Sequence, residues 1–320
     1  MVRYPASPQR VVSGLQIFYT DTFEIPLPQG HRFPLAKYAM LRSRLDSCGV
    51  LPQGALRVPS AATIEQLSRV HESEYIGRVV EGRLGVAEVR QIGLPWSSEL
   101  VERARRSVGA TIAACRAALA QGCGVSLAGG THHAYADRGE GYCVFNDAAV
   151  AARAMQVEEG VGRIIIVDCD VHQGNGTAAL FKQDPSVITF GIYGARNFPF
   201  IKERCDVDIP LADGTGDNEY LEALASGLSR AMCDARPELA IYLAGADPYA
   251  GDRLGRLSLS KIGLLERDRL VLRLLGEAGV PVAVTMAGGY APQISDTVDI
   301  HFQTVKAVLE HFLATPNIAE

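Results

Sequence analysis

The sequence has no CxxC pair, no long apolar run, no basic surplus and no linker rich in Pro, Gly and Ser. Seven cysteines, an odd number, are scattered along 320 residues. They read as reduced thiols in a reducing compartment, and their spacings build no cysteine-based zinc site. The longest apolar run, around residues 280–286, falls far short of a membrane span. The opening residues MVRYPASPQR lack the apolar stretch of a secretory signal. Net charge is -5, and the densest basic group is Arg103, Arg105 and Arg106 inside a helical pattern. That group reads as a solvated helix face, not as a phosphate site. The expectation is a soluble, cytoplasmic protein with neither nucleic-acid nor membrane partners. With no repeat and no linker, residues 1–320 read as a single domain long enough to bury its own core.

Strand–helix alternation dominates what is present. Short apolar runs rich in β-branched residues occur at 16–19, 125–127, 163–167, 187–192, 239–243 and 281–286. Helical patterns occupy 100–120, 147–159, 218–235, 261–278 and 293–312. This predicts an α/β fold: a mainly parallel sheet with helices on both faces. Sites in such folds form beyond the C-terminal ends of strands. Useful side chains do cluster there. Run 125–127 leads into Gly129-Gly130-Thr131-His132-His133, and run 163–167 into Asp168-Cys169-Asp170-Val171-His172. Run 239–243 leads into Gly245-Ala246-Asp247, and run 281–286 into Gly288-Gly289-Tyr290.

Asp168, Asp170 and His172 alternate along an extended segment, so all three point to one side. Ionisable groups on one face of a buried segment are costly unless neutralised, and a divalent cation does this well. Zinc accepts His nitrogen and Asp oxygen, and a catalytic site uses three protein ligands plus water. Asp170 and His172 supply two ligands, and Asp247 is the natural third; two carboxylates balance the charge of Zn²⁺. Any one of these aspartates alone is more plainly a cap or turn residue, and the set together favours metal.

A lone histidine is usually structural, but His132-His133 is an adjacent pair after a Gly-Gly turn in a chain with seven histidines. Beside a metal that polarises a carbonyl and activates water, a histidine can take the water's proton and pass it to a leaving amine. Tyr290 is placed to stabilise the developing oxyanion. The aromatics of residues 141–147 are core packing by default, or the lining of a narrow apolar channel.

Together these segments resemble the zinc-dependent histone deacetylase family of the arginase/deacetylase superfamily, most of all its class IV branch and bacterial-type deacylases. The resemblance runs from His31-Arg32-Phe33-Pro34 to the C-terminal helix and is carried by DCDVHQGNG at 168–176, GADPYAGDRLGRLSLS at 245–260 and Gly288–Tyr290. It implies the arginase/deacetylase fold around an eight-stranded parallel sheet, with one zinc on Asp170, His172 and Asp247. It implies His133 as general base and acid, His132 as electrostatic support, Asp168 as the group orienting His132, and Tyr290 as oxyanion donor. Asn175 stands where many members carry Asp, as in the class IV pattern, which should leave His133 less basic. Gly141 and Tyr142 would line an acyl-lysine channel, and backbone carbonyls near Asp168, Asp170 and His172 would hold a potassium ion. The substrate implied is an acylated lysine. Many members also carry an acidic loop residue that grips substrate; Glu88 and Glu99 are near the right region but lie in no matching motif.

Three other readings compete. A di-metal arginase-like enzyme would need an Asp two residues after Asp247, where Tyr249 stands. An acetylpolyamine or other small-molecule amidohydrolase would use the same catalytic residues and differ at the rim. A dinucleotide-binding protein rests on Gly174, Gly176 and Ala179, a pattern displaced from the strand end by Asp168, Asp170 and His172.

Overall fold

The apolar runs become strands buried on both faces. The structure, a computed structural model, describes residues 14–314; the opening segment MVRYPASPQR lies outside the described residues. The first part contains β1 (Ile17–Phe18), α1 (Ala36–Ser47), β2 (Leu56–Arg57), α2 (Ile64–Ser68), α3 (Ser73–Val80), α4 (Val86–Ile92), α5 (Ser98–Gln121) and β3 (Cys123–Ser126). Then follow α6 (Asp147–Glu158), β4 (Ile164–Asp168), α7 (Asn175–Phe181), β5 (Val187–Gly194) and β6 (Val207–Leu211). The chain continues with α8 (Asp217–Ala235), β7 (Leu239–Leu243), α9 (Lys261–Glu277), β8 (Val282–Thr285) and α10 (Ile294–Ala314). All eight strands join one sheet in the order β2-β1-β3-β8-β7-β4-β5-β6, and every pairing is parallel. This is the α/β architecture that the alternation predicts.

Successive residues of the central strands pack into different layers. Ile165, Val167, Ala240, Tyr242, Val282 and Val284 meet α8, α9 and α10. Ile164, Ile166, Ile241, Leu243 and Ala283 meet α5 and α6. Each Val, Ile or Leu among them, fully withdrawn from water, contributes about 1.5–3 kcal/mol. Helix α5 starts at Ser97, whose side chain accepts the Leu100 N–H, and stops at Gly122, whose φ of 89° lets its N–H reach the Ala118 carbonyl.

Several elements escape the pattern reading. Strand β6 is half exposed and carries Asp208 and Pro210, as an edge strand tolerates. Helix α1 buries only Lys37, Leu41 and Leu45, one face at a spacing of four. The basic group on α5 is not a solvated face. Arg103 is buried and donates to the Thr20 and Phe23 carbonyls, Arg105 to Ala62 and Arg106 to Pro59. Unpaired loop carbonyls need donors, and these guanidiniums tie residues 20–23 and 59–62 to the helix. The seven cysteines are all free. Among the described residues, no helix is long and apolar enough to cross a membrane.

Two buried polar residues hold the C-terminal edge of the sheet in place. Arg267 on α9, fully buried, donates to the Gly245 carbonyl at 2.5 Å and forms an ion pair with Asp268 at 2.8 Å. Asp268 also accepts from the Tyr242 and Thr304 hydroxyls. Removing one partner of a buried pair strands the other charge, so Arg267→Met should destabilise the fold by about 3–5 kcal/mol. Equilibrium denaturant unfolding measures it.

His71, before α3, clasps the loop between β3 and α6. Its Nε2 accepts the Asn146 N–H at 3.0 Å, so Nδ1 carries the proton and donates to the Tyr135 carbonyl at 2.8 Å. Burial lowers His71 from its ordinary 6.5 to about 4, against the opposing pull of backbone carbonyls. Between those values the unfolded chain binds a proton that the folded chain refuses. Stability is therefore complete above about 6.5 and lost as pH falls toward about 4. Over that window the wild type should lose up to about 3 kcal/mol more than His71→Asn, read from urea unfolding at several pH values.

Candidate active site

The four adjacent central strands β3, β8, β7 and β4 end at the same edge of the sheet, and each carries part of the site. After β3, the His132-His133 loop is anchored by the first turn of α6. The buried Asp147 carboxylate accepts the Gly130 N–H, the Thr131 N–H and the Thr131 hydroxyl. Asn146 caps α6 through the Ala149 N–H and donates to the Ala134 carbonyl. After β4, regular strand geometry ends at Asp168, and residues 170–172 bend. The alternation nevertheless persists: Cys169 and Val171 stay in the core with Ile165 and Val167, while Asp168, Asp170 and His172 turn into the site.

Asp170, His172 and Asp247 are buried, and one ligand atom of each lies within 4.8 Å of the others. His172 Nδ1 is 2.9 Å from Asp170 Oδ1 and 3.3 Å from Asp247 Oδ2. Ligands about 2.0–2.1 Å from a tetrahedral zinc stand about 3.3 Å apart, so this spacing fits one. The other carboxylate oxygens are satisfied: Asp170 Oδ2 accepts the Gly288 N–H at 2.8 Å, and Asp247 Oδ1 accepts the Val171 N–H at 3.0 Å. Asp247 Oδ2 is buried with no well-aligned donor, a costly state that a cation relieves. Residue 288 must be glycine, because a Cβ there would overlap the facing oxygens of Asp170 and Asp247. Burial pushes Asp247 up to about 7, with the Asp170 charge adding to it. His172 rises to about 10, because both carboxylates outweigh its burial; its Nδ1 proton stands where a cation would stand.

The two histidines differ. His132 Nδ1 meets Asp168 Oδ2 at 2.6 Å. Burial opposes a charge on His132, but Asp168 and Asp170 prevail and raise it to about 9. His133 Nδ1 meets the amide oxygen of Asn175 at 2.6 Å. Burial, followed by the charges of His132 and His172, holds His133 well below its ordinary value. The surroundings thus favour positive charge on His132 and disfavour it on His133.

Tyr290 faces them from the β8 end. Its backbone N–H donates to Asp252 Oδ2 at 2.6 Å, and its ring meets His172 edge-on at 6.3 Å. Burial raises its phenol far above the ordinary value, with Asp170 and Asp247 adding to the effect, so the hydroxyl stays a donor. A cavity of about 420 Å³ opens above the site, walled by Gly141, Tyr142, Phe198, His133, His172 and Tyr290. The Phe198 ring stands edge-on to His133 at 4.9 Å. A smaller void of about 50 Å³ continues inward past Tyr290 to Tyr38 and Lys37.

All ten residues singled out in the sequence therefore converge on this one edge. Glu88 and Glu99 do not: Glu88 caps α4 and pairs with Arg78, and Glu99 bonds to Ser98. Gly176, part of the dinucleotide-like pattern, is explained by packing, since a Cβ would run into the backbone of His133 and Ala134. Pattern reading missed Lys37, Asp252 and Glu140. Lys37 is buried, donates to the Ala287 carbonyl at 3.1 Å and lies 5.6 Å from the Tyr290 ring. A lysine at a core-facing position of α1 was the available signal. Asp252 and Glu140 lie in polar loops that carry no such signal.

Comparison with known proteins identifies the family. The family described as "Histone deacetylase domain" matches residues 31–305. An uncharacterized protein of Picosynechococcus sp. is 41% identical over 288 residues, covering 90% of this chain and 96% of its own. Histone deacetylase 2 of Arabidopsis thaliana is 30% identical over 305 residues, covering 90% of this chain and 79% of its own. A solved HDAC homolog complexed with SAHA superposes with a TM-score of 0.78 at 23% identity, covering 94% of this chain and 88% of that one, which shows a shared fold. The chain belongs to the histone deacetylase family of amide-hydrolysing deacetylases.

Proposed function

We propose that the protein is a zinc-dependent deacylase that hydrolyses the side-chain amide of acylated lysine. The observation that carries this reading is the buried cluster of Asp170, His172 and Asp247, whose His172 ring lies 6.0 Å from the His133 ring and 6.3 Å from the Tyr290 ring. Asp170, His172 and Asp247 would hold a zinc ion, which would supply polarisation of the amide carbonyl and a lowered pKa for water. The chain's own groups do the rest. His133 accepts the attacking water's proton at Nε2 and returns it to the leaving amine. The His132 cation, oriented by Asp168, stabilises negative charge that develops beside it. Tyr290 donates its hydroxyl hydrogen to the carbonyl oxygen as that oxygen becomes an oxyanion. Gly141, Tyr142 and Phe198 form apolar walls suited to the alkyl stem of lysine.

The rival acetylpolyamine substrate is a polycation. Arg196 and Arg256 line the mouth, and among the described residues no carboxylate does, which supports lysine in a peptide over a polyamine. Asn175 supports placement in the class IV branch, and the free cysteines support a cytoplasmic setting. The match across 31–305 and the single sheet support one catalytic domain over 1–320. A potassium ion on the backbone carbonyls near Asp168, Asp170 and His172 belongs to the same proposal.

Turnover of acyl-lysine peptides of graded chain length, beside acetylated polyamines, tests the reading. Chelation should abolish activity and added zinc restore it; hydrolysis by fully demetallated protein would refute the proposal. Tyr290→Phe should lower kcat by about 10²–10³, the usual loss for one oxyanion donor. His133→Ala should cost at least about 10². Steady-state kinetics on the zinc-loaded protein measures both.

A further inference from the structure

The hydrogen-bond chain that begins at His133 does not end at Asn175. The two N–H groups of the Asn175 amide are both used: Nδ2 donates to Glu140 Oε1 at 2.6 Å and to the Tyr135 hydroxyl at 3.0 Å. Its Oδ1 faces His133 Nδ1 at 2.6 Å. A carboxylate only accepts, so Glu140 decides which end of the Asn175 amide turns toward it. The amide oxygen is thereby left for His133. An amide oxygen also only accepts, so His133 must carry its proton on Nδ1 and keep Nε2 free. One carboxylate thus sets an amide orientation, and the amide sets a tautomer.

Glu140 is itself held in position. Its other oxygen accepts from Gln91 Nε2 at 2.9 Å, so both oxygens are turned to side-chain amides and not to a cation. It opens a tight turn that closes with the Cys143 N–H on the Glu140 carbonyl at 2.9 Å. The central residues Gly141 and Tyr142 have φ of 55° and 68°, the signs of a type I′ turn. Tyr142 is a strained choice there. Its N–H donates to the Ile92 carbonyl at 2.7 Å, and the Gly141 N–H donates to the Gln91 carbonyl at 3.2 Å, which fastens the turn to the end of α4. The turn that forms one wall of the entrance therefore also delivers a negative charge to the back of Asn175.

We infer that Glu140 is a positioning residue for the reaction: through Asn175 it gives His133 both the fixed tautomer and the negative charge that a directly bonded carboxylate would give. Chained hydrogen bonds polarise one another, so charge on Glu140 reaches the imidazole across a single amide. The inference rests on His133 as the proton acceptor proposed above.

The test is a charge relocation. Glu140→Gln keeps the side-chain size and removes the charge. Its kcat on an acyl-lysine peptide should fall about tenfold, the scale of a unit charge acting over several ångströms in a protein-like dielectric. KM should stay within about twofold, because Glu140 is not among the residues that line the cavity. Adding Asn175→Asp to E140Q moves the charge one residue nearer, with the introduced glutamine amide now the donor. The double variant should return to within about threefold of the wild-type kcat. An unchanged kcat in E140Q, or a double variant as impaired as E140Q, overturns the inference. Imidazole nitrogen NMR of the wild type should find the His133 proton on Nδ1, and a proton on Nε2 overturns the inference without any variant. If the wild type turns over no acyl-lysine peptide, the proposed function has failed, and the tautomer measurement still decides this point.

Discussion

Three carboxylates, Asp168, Asp170 and Asp247, are buried at the C-terminal edge of a parallel sheet, with exposures of 6%, 2% and 0%. No folded chain keeps that much negative charge out of water without compensation, and much of the surrounding structure supplies it. Backbone N–H groups of Asp170, Val171, His172 and Gly288 point at the carboxylates. His132 and His172 bring ring nitrogens to them at 2.6 and 2.9 Å. The second oxygen of Asp247 has no aligned hydrogen bond, only the His172 ring nitrogen at 3.3 Å, and it belongs to the cluster that could hold a metal ion.

The support extends outward. Arg267 is buried under the edge and takes the Gly245 carbonyl, two residues before Asp247. Asp252 holds the Tyr290 backbone from the loop after β7. Asp147 and Asn146 hold the His132-His133 loop from the start of α6, and His71 closes that loop from the other side. The backbone around each strand end is thus held by a polar side chain from another part of the fold. Such second contacts keep a site pre-organised at no cost at the moment of reaction.

The sheet itself was legible because strands covered on both faces must be apolar throughout. The six runs read from the sequence all correspond to strands, with ends shifted by up to two residues. β2 and β6 were not legible, since a two-residue strand carries no pattern and a half-exposed edge strand mixes Asp and Pro into one. The basic group on α5 misled for a related reason. Composition cannot distinguish a guanidinium in water from one bonded to carbonyls of a distant loop, as Arg103 is to Thr20 and Phe23. Asn175 was legible as the neutral partner of His133, and the carboxylate behind it was not.

The sequence by itself determined the chemistry available at each strand end. Ligand types, spacing and glycines are local properties, written within a few residues of one another. Tertiary structure decided what those groups do together. It brought β3 and β4 side by side with β7 and β8 from a distant part of the chain, so that Asp170 and Gly288, 118 positions apart, meet in one site. It also turned Glu140, 35 residues from Asn175, onto that amide at 2.6 Å. Contacts of this kind depend on where loops cross, and loop crossing is set by how the whole sheet and its helices pack, which no local pattern records.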